Sequence, residues 1–117
     1  MLKAEKWVNN RFDCDVLTTK YEQFERDCKS DLKKMASENG LELYEFHKNF
    51  FYFSAVLTDG EKFVYVSISD VRYFGWNSDT EVLVRTMKHA KDWTGGMNNY
   101  CTWNRVGEVA RKLIDRN

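Results

Sequence analysis

The chain has 117 residues, with 18 basic and 18 acidic side chains and a formal net charge of zero. That length fits one domain with a real core, and the zero balance argues against a protein that holds a polyanion by bulk charge. Hydrophobic residues make up 43% and charged residues 31%, which excludes both a disordered chain and a membrane-embedded one.

Aromatics reach 15% and proline is absent. Large rings supply much apolar area per residue, which suits a thin sheet covered by few helices. The charge is unevenly spread: residues 1–61 hold 9 Lys/Arg against 12 Asp/Glu, and residues 62–117 hold 9 against 6. Three cysteines, Cys14, Cys28 and Cys101, are odd in number and far apart, a pattern of free thiols in a reducing cytosol. The opening MLKAEKWVNN carries no apolar run for a signal peptide, so the expected location is cytoplasmic, without a membrane anchor.

In chain order, residues 2–10 are read as a short helix, and Trp7, Val8, Phe12, Val16 and Leu17 as buried. Thr19-Lys20-Tyr21-Glu22 matches a capping box with Thr19 as the cap. Tyr21, Phe24, Cys28, Leu32 and Met35 then share one helical stripe, and Asn39-Gly40 ends it, predicting a helix over 19–39. Asp27 and Asp31, like Asp13 and Asp15, read as solvated surface.

From Leu41 to Arg72 the period approaches two. Asp59-Gly60 predicts a two-residue hairpin turn that pairs Val56 with Phe63 and Ser54 with Tyr65. A turn at Lys48-Asn49 would pair Phe46 with Phe51 and Tyr44 with Phe53. Both guesses put Tyr44, Phe46, Phe51, Phe53, Ala55, Leu57, Val64, Val66 and Ile68 on a core face. The other face then carries Glu45, His47, Phe50, Tyr52, Ser54, Phe63, Tyr65, Ser67 and Ser69, with Tyr52 and Tyr65 in diagonal contact. A strand over Glu81–Lys88, a loop from Asp92 to Asn99 and a helix from Thr102 to Ile114 complete the chain. The fold class is α+β: one domain, 1–117, with an antiparallel sheet of about four strands under an N-terminal-half helix and a C-terminal helix.

The mixed face is the most informative feature. Its rings and hydroxyls suit a protein partner, or nucleic acid as the alternative, unless a helix covers it. The segment Arg85 to Asp92 brings Lys88, His89 and Lys91 toward Gly95-Gly96, where an anion nest competes with a plain structural turn. His47 and His89 lack the short-range company of a metal site, and no thiol has a histidine placed beside it by sequence. No catalytic residue, cofactor or metal is therefore expected, and the chain reads as a non-enzyme. The candidate partner-binding residues are Phe50, Tyr52, Phe63, Tyr65, Arg85, Lys88, His89, Lys91 and Trp93.

The stretches YVSISDVRYF and LVRTMKHAKDWTGGMNNY, within residues 62–100, resemble small accessory proteins of phages and conjugative elements, some of which are anti-CRISPRs. The resemblance implies a compact α+β inhibitor that binds a Cas nuclease or another host defence protein. Many such inhibitors are strongly acidic mimics of nucleic acid, and the zero net charge departs from that pattern.

Overall fold

A computed structural model describes residues 2–12, 18–77, 82–89 and 96–116. Its first long element, α1 (Thr19–Glu38), follows the stripe expected, with Tyr21, Phe24, Cys28, Leu32 and Met35 all buried. The cap is one residue earlier than expected: the Thr18 hydroxyl accepts from the Tyr21 amide at 3.1 Å. Gly40, at φ +69°, closes the helix in the left-handed conformation that glycine adopts without strain.

Five antiparallel strands follow: β1 (Glu42–Lys48), β2 (Phe53–Thr58), β3 (Phe63–Ser67), β4 (Val82–Met87) and β5 (Asn98–Cys101). They pair in chain order, β1-β2-β3-β4-β5. The sheet thus has five strands where four were expected, because Asn98–Cys101, at the end of the expected loop and the two residues after it, pairs with β4. A four-residue helix, α2 (Val71–Phe74), follows β3, and α3 (Val106–Arg116) closes the chain after a 3-10 turn at Trp103–Arg105.

Two registers differ from expectation. The β2–β3 hairpin pairs Thr58 with Phe63 and Val56 with Tyr65, two residues away from the predicted register. The cause is the Asp59 side chain, whose Oδ1 accepts from the amides of Glu61 and Lys62 at 2.9 and 2.8 Å. Those bonds stabilise a four-residue loop in place of a two-residue turn, and only Gly60 takes positive φ, +103°. A shift of two leaves every side chain on its predicted face. The β1–β2 pair sets Phe46 opposite Ala55 and Lys48 opposite Phe53, not Phe46 opposite Phe51 and Tyr44 opposite Phe53, because four residues, Asn49 to Tyr52, make the turn in place of two. A bulge between Leu43 and Glu45 has a further effect. The extra residue turns Tyr44 away from the core to 52% exposure, and Phe46 instead stacks on Phe53 at 5.0 Å.

Helices α1 and α3 cover one face of the sheet. Phe24, Leu32, Phe53, Leu57, Val64, Val66, Val84 and Ile114 are fully or almost fully buried in one cluster between the layers. The helices touch closely at Gly107, where an added Cβ would stand 2.8 Å from the Met35 carbonyl oxygen.

The N-terminal segment is a 3-10 helix, Lys3–Trp7, held by two carboxylates of α1. Asp31 accepts from the backbone amides of Lys3 and Ala4 at 2.7 and 2.8 Å, and from the Trp103 indole at 3.0 Å. One turn earlier, Asp27 accepts from the Trp7 indole at 2.8 Å and pairs with Lys6 at 3.0 Å. Asp27 and Asp31 are buried, at 4% and 2% exposure, which corrects the reading of them as solvated surface. Such carboxylates survive burial because several donors point at each. Trp76 completes this corner, donating to the Ala4 carbonyl at 3.1 Å and packing on Phe24 and Trp103.

Candidate docking face

Side chains alternate across a strand, so the sheet has a second face, and the two long helices α1 and α3 pack on the first. Register lays this outer face out in three rows. Nearest the β2–β3 loop stand Glu42, Thr58, Phe63 and Met87, on β1 to β4. The middle row is Glu45, Val56, Tyr65, Arg85 and Asn98. The third is His47, Ser54, Ser67, Leu83 and Tyr100. Tyr44, displaced by the bulge, lies edge-on to Phe63 with ring centres 5.2 Å apart. Their strands flank β2 at roughly 10 Å from each other, so the two rings meet by reaching over β2. Val56 and Thr58 are buried on this face although neither belongs to the core cluster.

Exposure and charge vary across the face. Tyr44 and Tyr100 are 52% and 59% exposed, whereas Phe63, Tyr65, Leu83 and Arg85 are half-buried. The β1 side is acidic, with Glu42 and Glu45, and Glu45 holds His47 at 2.8 Å. The β4 side carries Arg85, hydrogen-bonded to Asn98 of β5. The edges are poor templates for another strand, since β1 is bulged and charged and β5 has four residues.

Of the residues singled out from sequence, the structure brings Phe63, Tyr65 and Arg85 together here, with Tyr65 and Arg85 register partners. Lys88 and His89 are exposed just past the end of β4. Lys91 and Trp93 lie outside the described residues, as do Asp92, Thr94 and Gly95. Phe50 is not on this face. It sits in the β1–β2 turn, lining a hollow of ≈ 560 Å³ with Tyr21, Glu25 and Lys48 on the α1 side. Tyr52 precedes β2, four residues from Val56, which is the partner of Tyr65. At about 3.3 Å per residue that places it roughly 13 Å along the strand, so the expected diagonal contact of Tyr52 with Tyr65 is absent. Sequence reasoning missed Tyr44, Leu83 and Tyr100. Tyr100 was missed because Asn98-Asn99-Tyr100-Cys101 shows no apolar alternation, and Leu83 because the apolar run Val82-Leu83-Val84 hides the alternation that sets it on the face of Arg85.

The remaining reactive groups are ordinary. Burial pushes the Cys28 thiol well up, and that of Cys101 up to about 11, so both stay protonated at neutral pH. Among the described residues no group of three or more His, Cys, Asp or Glu is placed to hold a metal ion. Also among them, no helix is long and apolar enough to cross a membrane. Comparison with known proteins adds no relative: no family model matches the chain, and neither a curated protein nor a solved structure shows detectable similarity to it.

Proposed function

We propose that the protein is a non-enzymatic protein-binding module whose outer sheet face is the docking surface. The observation that carries this reading is the one-sided sheet: α1, α3 and the N-terminal segment pack on one face, while Tyr44, Phe63, Tyr65 and Tyr100 stand on the other. Tyrosine suits such a surface because it joins a large rigid contact area to a polar tip. Glu42 and Glu45 on the same face disfavour nucleic acid, whose phosphates they would repel.

The fuller form of the proposal is an inhibitor of a host defence nuclease, carried by a phage or mobile element. It draws on the resemblance of residues 62–100 to anti-CRISPR-type proteins, and β3, β4 and β5 of the docking face come from that segment or its border. The test is a titration of the purified protein into target-DNA cleavage by a panel of Cas nucleases, at low and high salt. The expected result is loss of one nuclease's cleavage, little changed by salt, and its recovery with Tyr44→Thr/Tyr100→Thr. Threonine keeps strand propensity, so a normal melt of this variant separates lost binding from lost fold. Inhibition by both proteins alike would remove the docking face. No inhibition of any nuclease would remove the inhibitor reading.

A further inference from the structure

The outer face has a pattern that neither its exposure nor its aromatic content requires. On either side of the central strand β3, the two flanking strands are opposite in bulk. Strand β2 presents Ser54 and Val56 in the third and middle rows, and β4 presents Leu83 and Arg85 in the same rows. The outermost strands differ in charge. In the middle row β1 carries Glu45, and β5 carries Asn98, bonded to Arg85.

A face with this pattern fits a copy of itself. A two-fold axis running along β3, parallel to the strands, turns a second sheet over and leaves each row at its own level. It lays β4 of one copy over β2 of the other, and β1 over β5. Leu83 then lies over Ser54, a long side chain over a short one, and Arg85 over Val56, which its own chain already buries. Glu45 of each copy faces the Arg85–Asn98 pair of the other. Facing sheets stand about 10 Å apart and neighbouring strands about 4.8 Å, so the Glu45 and Arg85 Cα atoms would be roughly 11 Å apart. The two extended side chains span that distance. Tyr65 meets Tyr65 on the axis, where an offset stack is available. A two-fold along the other in-plane direction would set Glu45 on Glu45 and Arg85 on Arg85, which like charges disfavour. The zero net charge adds no long-range repulsion between copies.

We infer that the free protein pairs with a second copy of itself, outer face to outer face, through the middle and third rows. This rests on the reading of that face as a docking surface, and names the occupant it has before any other partner arrives. Met87 and Thr58 of the first row and Val56 of the middle row are already buried within one chain, so they add little. The area left, on the order of 500 Å² per copy, is at the low end for a specific interface. Interfaces of that size belong to weak, transient pairings, so dissociation on the order of 10–100 µM is the range to test.

Sedimentation equilibrium of the intact protein from 1 to 500 µM tests this. The parent should pass from monomer to dimer across that range. Glu45→Arg alone and Arg85→Glu alone should each weaken pairing at least tenfold, because each places like charges together. The two combined should restore it toward the parent, because the contact is exchanged across the interface. A monomer at 500 µM would overturn the inference. So would a dimer that neither reversal weakens, or whose double variant stays monomeric while folded. Nuclease inhibition that Tyr44→Thr/Tyr100→Thr abolishes would still support the docking surface if the free protein proved monomeric, so the two readings fail separately.

Discussion

Replacing Asp31 with alanine removes one carboxylate and orphans three donors at once: the Lys3 and Ala4 amides and the Trp103 indole, bound at 2.7, 2.8 and 3.0 Å. Ala4 is fully buried and Trp103 nearly so, so water cannot readily take the lost acceptor's place. A hydrogen bond to a charged group contributes about 1.5–3 kcal/mol, and stranding a buried donor costs about 1–3 kcal/mol. These overlap and do not add in full, so a loss of about 3–5 kcal/mol is expected, a large part of the stability of a domain this size. Asp31→Asn keeps the shape but turns an acceptor into a donor facing a donor, and should lose about 2–3 kcal/mol. Urea denaturation followed by tryptophan fluorescence and circular dichroism gives both values, provided the slope stays constant. Hydrogen exchange should show the Lys3 and Ala4 amides losing protection first. A loss below about 1 kcal/mol for both variants, with those amides still protected, would refute the role given to Asp31.

Gly107→Ala should destabilise by about 1–3 kcal/mol despite alanine's better helix propensity, because its Cβ would press on the Met35 carbonyl of α1; an unchanged urea midpoint would contradict the close approach. Gly60→Val should lose roughly 1–2 kcal/mol through backbone strain alone, since no atom lies within 4 Å of the added Cβ. The pH dependence should be two-sided. Burial raises the Glu25 carboxyl pKa, only partly offset by Lys48 at 3.3 Å, so the folded state binds that proton more tightly than the unfolded chain does. Stability then rises as pH falls from the folded value toward about 4.3, and Glu25→Gln removes the rise. Below that, Asp70, held low by Arg72, loses its stabilising contribution as it protonates. Asp27 behaves likewise, because donors from Trp7, Lys6 and Gln23 outweigh its burial. Urea midpoints from pH 7 to 3 that fall steadily from the start would contradict the assignment to Glu25.

What could be read from the sequence follows from the range of the forces involved. The stripe of α1 and the apolar face of α3 repeat within a few residues, and both helices were legible. The β2–β3 hairpin was legible in place and in faces, yet not in register, because a side-chain cap by Asp59 decided the loop length. Tyr44 was assigned to the core because a single bulged residue inverts a period of two, and nothing local announces the bulge. Asp27 and Asp31 looked solvated because their partners lie far off in the chain: Trp7, Lys3, Ala4 and Trp103. The docking face was half legible. Phe63 and Tyr65 were named from alternation and Arg85 from the positive charge of the segment it opens, whereas Leu83 joined them through the register of β4 and Tyr100 only through β5.

Hydroxyl-radical footprinting of the tyrosines at two protein concentrations tests the central claim, that one face of this sheet is left for another protein, most directly. At 1 µM, Tyr44 and Tyr100 should be modified rapidly and Tyr21, buried under α1, should be protected. At several hundred micromolar the two face tyrosines should become protected, while Tyr73, exposed on α2 and outside the three rows, should react as before. Protection of Tyr44 and Tyr100 equal to that of Tyr21 at 1 µM would show that the chain itself covers the face, and would contradict the account.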